Sequence, residues 1–123
     1  MREIKFRGLS NLSEWIYGNY ATTKFPYPRV VIINNDGFGH VEVLPKTVGQ
    51  FTGLTDVNGI EIYEGDIYHQ GDSRILYEVV FSDDHSGFVG KQLGSGSLAG
   101  LKHFQIAIVI IGNIHQNPEL LEN

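Results

Sequence analysis

A mainly β fold, built as a small barrel or sandwich of antiparallel strands with one or two short helical turns, is what this 123-residue sequence predicts. Three observations carry the expectation. Apolar residues at the i, i+3, i+4, i+7 spacing of an amphipathic helix hardly occur. Fifteen glycines interrupt the chain, so that few windows longer than about ten residues could hold a helix. Short β-branched and aromatic runs, separated by turn residues, recur from one end to the other.

Taken in order, Glu3 to Arg7 alternates Ile4 and Phe6 with charged neighbours, the two-residue period of a half-buried strand. Glu14 to Tyr20 (EWIYGNY) is an aromatic strand in which Gly18 marks a bulge or a close backbone approach. Arg29 to Ile33 (RVVII) reads as a buried strand, and Phe38 to Leu44 as its hairpin partner. Asn34-Asn35-Asp36-Gly37 between them supplies residues that tolerate the positive φ of a tight turn.

After Pro45, Thr47 to Phe51 is a short helical turn or an extended link. Arg74 to Ser82, Gly87 to Leu93 and Phe104 to Ile114 follow as strands, with a polar hairpin loop at Ser82 to Gly87. Gly94 to Gly100 (GSGSLAG) reads as a mobile loop or linker, and Asn117-Pro118 as the cap and first residue of a helical turn. The chain has the length of one domain, 1–123. A softer division at Pro45 would separate an N-terminal β-sheet portion, 1–45, from a C-terminal β-barrel portion, 46–123.

Composition excludes several classes of function. With no cysteine there is no thiolate nucleophile and no disulfide, which fits a reducing cytoplasm. The longest strongly apolar run, Ile106 to Ile111, is far short of the roughly 20 residues that a membrane helix needs, so no membrane partner is expected. The net charge of −5 and the scattered basic residues disfavour a general nucleic-acid binder. Arg2, Lys5 and Arg7 are the one basic cluster, and they would carry the phosphate contacts if nucleic acid were the ligand.

The segment Gln50 to Tyr68 (QFTGLTDVNGIEIYEGDIY) concentrates Asp56, Glu61, Glu64 and Asp66 among Gly53, Gly59 and Gly65. It is not a calcium loop. Counted from Asp56, the glycine falls at the fourth position instead of the sixth, and Ile67 stands where a bidentate Glu belongs. Turn chemistry accounts for the residues better. Asp56-Val57-Asn58-Gly59 and Glu64-Gly65-Asp66 are tight turns flanking a short strand, with the aspartates placed to accept backbone N–H groups.

The five histidines lack paired ligand spacing, so neither a metal nor another cofactor is expected. No nucleophile elbow or phosphate loop occurs. Among the many aromatics, most of which belong to core and cross-strand pairs, Tyr63 and Tyr68 flank the acidic turn. With Glu64 and Asp66 they form the candidate protein-contact surface.

Three blocks, MREIKFRG at the start, TVGQFTGLTDVNGIEIYEGDI from Thr47 to Ile67 and IGNIHQNPEL from Ile111 to Leu120, resemble the YopX family of phage and prophage proteins, in the family's order and across nearly the whole chain. The resemblance implies bacteriophage or prophage origin, expression in the cytoplasm of a bacterial host and homo-oligomeric assembly. It brings no accepted catalytic residues. The chain departs from the pattern at Gly8-Leu9-Ser10, where members often have Ala-Trp-Asp, and at Thr55, Val57 and Ile60, where lysines are common.

The expected function is therefore a non-enzymatic, homo-oligomeric β module that binds a host or phage protein. Two alternatives stay open. One is a small nucleic-acid-binding barrel, since Gly65-Asp66-Ile67 and the strands around Val79 and Phe88 are similar to the start of an SH3-like C-terminal barrel. The other is an enzyme using an acidic cleft around Asp66 with Glu61 and a histidine.

Overall fold

The β-branched and aromatic runs become strands. In the computed structural model, which describes residues 3–34 and 39–121, they are β1 (Phe6–Leu9), β2 (Trp15–Thr23), β3 (Arg29–Asn34), β4 (His40–Val43), β5 (Gly49–Thr55), β6 (Glu61–Tyr63), β7 (Asp66–His69), β8 (Tyr77–Ser82), β9 (Gly87–Gln92), β10 (Leu98–Gly100) and β11 (Val109–Asn113). Among the described residues helical structure is confined to one α-turn, α1 (Leu101–Phe104), and to 3-10 turns at Pro45–Thr47, Gln105–Ala107 and Pro118–Leu121. The strands form two antiparallel sheets, ordered β4-β3-β2-β1-β5-β6 and β10-β9-β8-β7-β11. The expected mainly β class is the one observed. The chain groups into two compact units, Met1–Phe51 and Thr52–Asn123.

In the first unit β2 is the spine. It pairs with β1 from Phe6↔Gly18 to Leu9↔Trp15, and with β3 from Gly18↔Asn34 to Thr23↔Arg29. β4 then pairs with β3 from Val30↔Val43 to Ile33↔His40, the hairpin read from the sequence. Asn35, Asp36 and Gly37 of its turn lie outside the described residues. Gly18 is a close approach: a Cβ there would stand 1.9 Å from the Ile33 carbonyl oxygen, at a φ of +152°. The end of β4 comes back to β1, where the Leu44 N–H donates to the Leu9 oxygen at 2.8 Å. Thr47 fastens this junction, its Oγ1 accepting from Leu9 N (2.8 Å) and donating to the Leu44 oxygen (2.6 Å). Leu9, Val31, Ile32, Val43 and Phe51 are the buried apolar residues of this unit.

In the second unit β7, β8, β9 and β10 form a meander, and β11 lies on the other side of β7. Ile62, Tyr68, Val79, Leu101 and Ile108 form its buried cluster, with Leu54, Tyr77, Phe88 and Ile110 packed around it. Two expectations are corrected here. Gly94 to Gly100 is no linker: its glycines bend the chain, at φ of +96° for Gly94 and +77° for Gly96, so that β10 folds back onto β9. Phe104 to Ile114, read as one strand, holds a shorter one, Val109–Asn113. Its first residues are helical, and β11 is the edge of its sheet, with a register shift between Ile110 and Gly112. Ile108 is buried, whereas Ile106 is 91% exposed.

Candidate functional site

The acidic segment folds as a set of locks. Asp56 is buried, and its Oδ1 accepts the N–H groups of Asn58 (2.8 Å) and Ile60 (3.0 Å). Its Oδ2 accepts the N–H of Ile110 (3.1 Å), 54 residues away. One carboxylate thus closes its own turn and occupies an outward N–H of edge strand β11. Val57 adds a second tie, donating its N–H to the Ile108 oxygen at 3.0 Å. An edge strand with satisfied outward groups is a poor template for stray pairing. At the next turn Asp66, 2% exposed, accepts the Tyr63 N–H at 2.7 Å, while Gly65 donates to the Val79 oxygen and accepts from Ile114.

The block from Ile111 to Leu120 works in the same way. Asn113 Oδ1 accepts from His115 N (3.0 Å) and Gln116 N (2.9 Å), and Asn117 Oδ1 accepts from Asn113 N (3.1 Å). Gly112 is required by that contact, because a Cβ there would stand 2.6 Å from Asn117 Oδ1. At the start of the chain Gly8 faces Val43, with 2.8 Å between its would-be Cβ and Val43 Cγ2.

Tyr63, Glu64, Asp66 and Tyr68 are close in sequence and do not form an exposed contact surface. Tyr63 is 1% exposed and Tyr68 is fully buried, leaving only Glu64 half-buried. Their place beside the acidic turn suggests a contact surface, but both rings turn inward. Tyr63 donates its hydroxyl to Glu61 at 3.1 Å. Tyr68 stacks on Tyr77 at 5.3 Å, with its hydroxyl against the backbone of Gly90. Burial pushes the Tyr68 phenol well above its usual range, and Tyr77 adds to the shift. On neighbouring β8 burial raises Glu78, Lys91 opposes the shift and Glu64 reinforces it.

The acidic-cleft set is likewise dispersed into structure. Asp66 and Glu61 hold Tyr63, and His115 is the histidine beside the Gly65 turn. Among the described residues no group of three or more His, Asp or Glu is placed to hold a metal ion. In the basic set Arg2 lies outside the described residues. Lys5 is 3.7 Å from Glu3 and lies over the Phe51 ring. Arg7 is buried, its guanidinium 4.0 Å over the Trp15 ring.

A different surface stands out in the first unit, at the β2–β3 connection and along β4. Phe25 is 86% exposed at the tip, followed by the exposed Tyr27 and, at the end of β4, the exposed Leu44. Tyr27 donates its hydroxyl to Glu42 Oε1 at 2.8 Å. Arg29 lies 5.6 Å over the Tyr27 ring, approaches Glu42 at 3.9 Å and donates from Nε to Thr23 Oγ1 at 3.0 Å. Two shallow clefts of about 220 and 420 Å³ flank the group, the first against Asn11 and Leu44, the second between Lys24, Pro28 and Pro45. A Tyr–Arg–Glu array with a half-buried arginine, beside exposed aromatic area, has the composition of protein-contact hot spots. The available sequence signal was Lys24-Phe25-Pro26-Tyr27-Pro28, in which a proline after each aromatic places both in a connection instead of a sheet interior.

A family model described as YopX protein matches residues 2–122. Among solved structures, that of protein EF1440 from Enterococcus faecalis is similar over 99% of this chain and 100% of its own, with 24% identity and a TM-score of 0.58, a likeness of fold. Comparison with curated proteins gives no match.

Proposed function

Because the chain belongs to the YopX protein family, and its family-like blocks are occupied by turn locks and close approaches, we propose that it acts through its surface, as a non-enzymatic phage or prophage module that assembles with itself and binds a protein partner in the host cytoplasm. The observation that carries this reading is the Phe25–Tyr27–Arg29–Glu42–Leu44 surface. Its aromatic groups are exposed, while the polar ends of Tyr27 and Arg29 are already held by Glu42 and Thr23. Side chains fixed in this way lose little freedom on binding, which favours affinity.

The nucleic-acid reading is weaker, because burial of Arg7 under Trp15 takes one of its three cations out of reach of a phosphate. The acidic-cleft reading is weaker as well. Asp66 lies in the interior with a backbone N–H on its carboxylate. The test is partner capture with purified candidates. A protein that binds wild type and loses at least tenfold in affinity with Tyr27→Ala, at little salt dependence, supports the proposal. Steeply salt-dependent binding of DNA or RNA by the wild type, unaffected by Tyr27→Ala, contradicts it.

A further inference from the structure

Asn58-Gly59 is the one place in this chain where a glycine follows an asparagine. In such a pair the backbone can attack its own side chain, because glycine has no Cβ to hinder the approach of its nitrogen. Both residues are exposed, and a Cβ on Gly59 would meet nothing within 4 Å. The Asn58 side-chain amide has no hydrogen bond among the described residues. The two reacting groups are thus adjacent and open to solvent.

A single residue restrains them. Asp56 Oδ1 accepts the N–H of Asn58 at 2.8 Å and that of Ile60 at 3.0 Å, and the Asp56 main-chain oxygen accepts the N–H of Gly59 at 3.0 Å. The N–H groups of residues 58, 59 and 60 therefore all end on Asp56, which fixes the peptide planes on both sides of Gly59. Attack needs the Gly59 nitrogen to swing toward Asn58 Cγ, and that motion breaks these bonds. It also needs the Gly59 N–H to lose its proton. An acceptor on that proton and a carboxylate beside it both oppose an anion there.

We propose that Asn58-Gly59 is a self-modification site gated by Asp56, silent while Asp56 holds the turn and converting to aspartate and isoaspartate when the turn opens. In the open turn the Gly59 nitrogen gives up its proton to solvent and bonds to Asn58 Cγ. The bond from Cγ to the side-chain nitrogen breaks, and ammonia leaves. Water then opens the succinimide, yielding aspartate by attack on the side-chain carbonyl and isoaspartate by attack on the main-chain carbonyl. Water enters and ammonia departs, with no change of oxidation state. Isoaspartate carries the main chain through its Cβ, one carbon longer, so Asp56 Oδ1 no longer spans the N–H groups of residues 58 and 60. The same carboxylate holds the Ile110 N–H, so conversion releases that group of edge strand β11 for pairing with another strand.

The test is mass spectrometry of the tryptic peptide Thr47–Arg74 after incubation of the folded chain at pH 8, beside the same peptide incubated free. The readout is the mass gained when an amide becomes an acid, with the two products separated by chromatography. Folded wild type should convert at least about tenfold more slowly than the free peptide, as expected for a site that reacts only from a locally opened state. Asp56→Ala should lose most of that protection. Asp56→Asn, which keeps one oxygen, should fall between, with amide exchange at Asn58 and Ile60 rising in the same order. Should Asp56→Ala fail to fold, Asp56→Asn and the wild type in denaturant below its unfolding transition supply the same comparison. A free peptide that stays intact overturns the site, and folded wild type converting as fast as the free peptide overturns the gate. Folded Asp56 variants that exchange faster at Asn58 and Ile60 yet convert at the wild-type rate overturn the role of Asp56. Isoaspartyl chain with an Ile110 amide protected as in wild type overturns the release of β11.

Discussion

Two regions of this molecule carry most of its chemically conspicuous residues, and they use them in opposite ways. The acidic turns around Asp56 and Asp66 look like a site and are fasteners: their buried carboxylates take up backbone N–H groups. The β2–β3 connection looks like filler between strands. It nevertheless presents Phe25 and Tyr27 to solvent beside a held Arg–Glu pair. Charge is committed inside and apolar surface is offered outside. A carboxylate whose lone pairs are occupied by the backbone stabilises the fold, and an aromatic ring that covers nothing in its own unit is available to a partner.

The sharpest way to break the comparison is at Asp56. Asp56→Ala leaves three part-buried N–H groups without their acceptor and should lower stability by about 2 kcal/mol, since a typical hydrogen bond is worth about 1 kcal/mol net and a buried donor left unpaired roughly 1–3 kcal/mol. Chemical denaturation measures it. Asp56→Asn should cost less, because one oxygen can still serve Asn58 and Ile60 while Ile110 alone loses its acceptor. A loss for Asp56→Ala below about 1 kcal/mol would mean the turn is not a lock.

On the other side of the comparison, Phe25→Ser should leave the unfolding midpoint nearly unchanged, within about 0.5 kcal/mol, as expected for an exposed position. The same change should weaken association with the protein partner by tenfold or more, the cost of about 1.4 kcal/mol or above that marks a hot spot. Equal losses in both measurements would return Phe25 to the core.

A smaller effect is expected at Tyr68, whose buried hydroxyl has no hydrogen-bond partner among the described residues. Tyr68→Phe should hold or raise stability by about 1 kcal/mol, and it should change the alkaline limb. With its pKa raised by burial, the folded phenol stays neutral where the unfolded one ionises, so this group's contribution is complete below about pH 10 and is lost as pH rises further. Denaturation between pH 8 and 11 should show a shallower decline for Tyr68→Phe than for wild type. Smallest of all, Glu78→Gln should raise stability slightly at neutral pH. The raised Glu78 pKa means that its ionisation is opposed in the folded state, so the gain should vanish once the carboxyl is protonated in both states, in acid.

What could be read from the residues, and what could not, divides along the same line. The β class, the β3–β4 hairpin, the turns at Asp56 and Gly65 and the turn beginning at Pro118 are local signals, each carried by alternation, glycine, Asx chemistry or proline, and each was legible. The inward rings of Tyr63 and Tyr68 were not, because alternation tells which residues share a face and not which face another layer covers. Arg7 was read as a phosphate contact for the same reason: nothing in MREIKFRG says that Trp15 will cover its guanidinium. The edge strand β11 is tied down by a carboxylate 54 residues away, a contact that no local pattern announces. The linker alternative for GSGSLAG failed because the small residues that make a flexible linker are also those that make a tight return. The exposed tip at Phe25 was hidden in a count of aromatics that treated all of them as candidates for the core.

The central claim, that this protein works as a self-assembling module, is tested most directly by its mass in solution, measured by light scattering across a wide range of concentrations. A defined multiple of the chain mass that persists on dilution is the predicted result. A monomer throughout that range would contradict the claim.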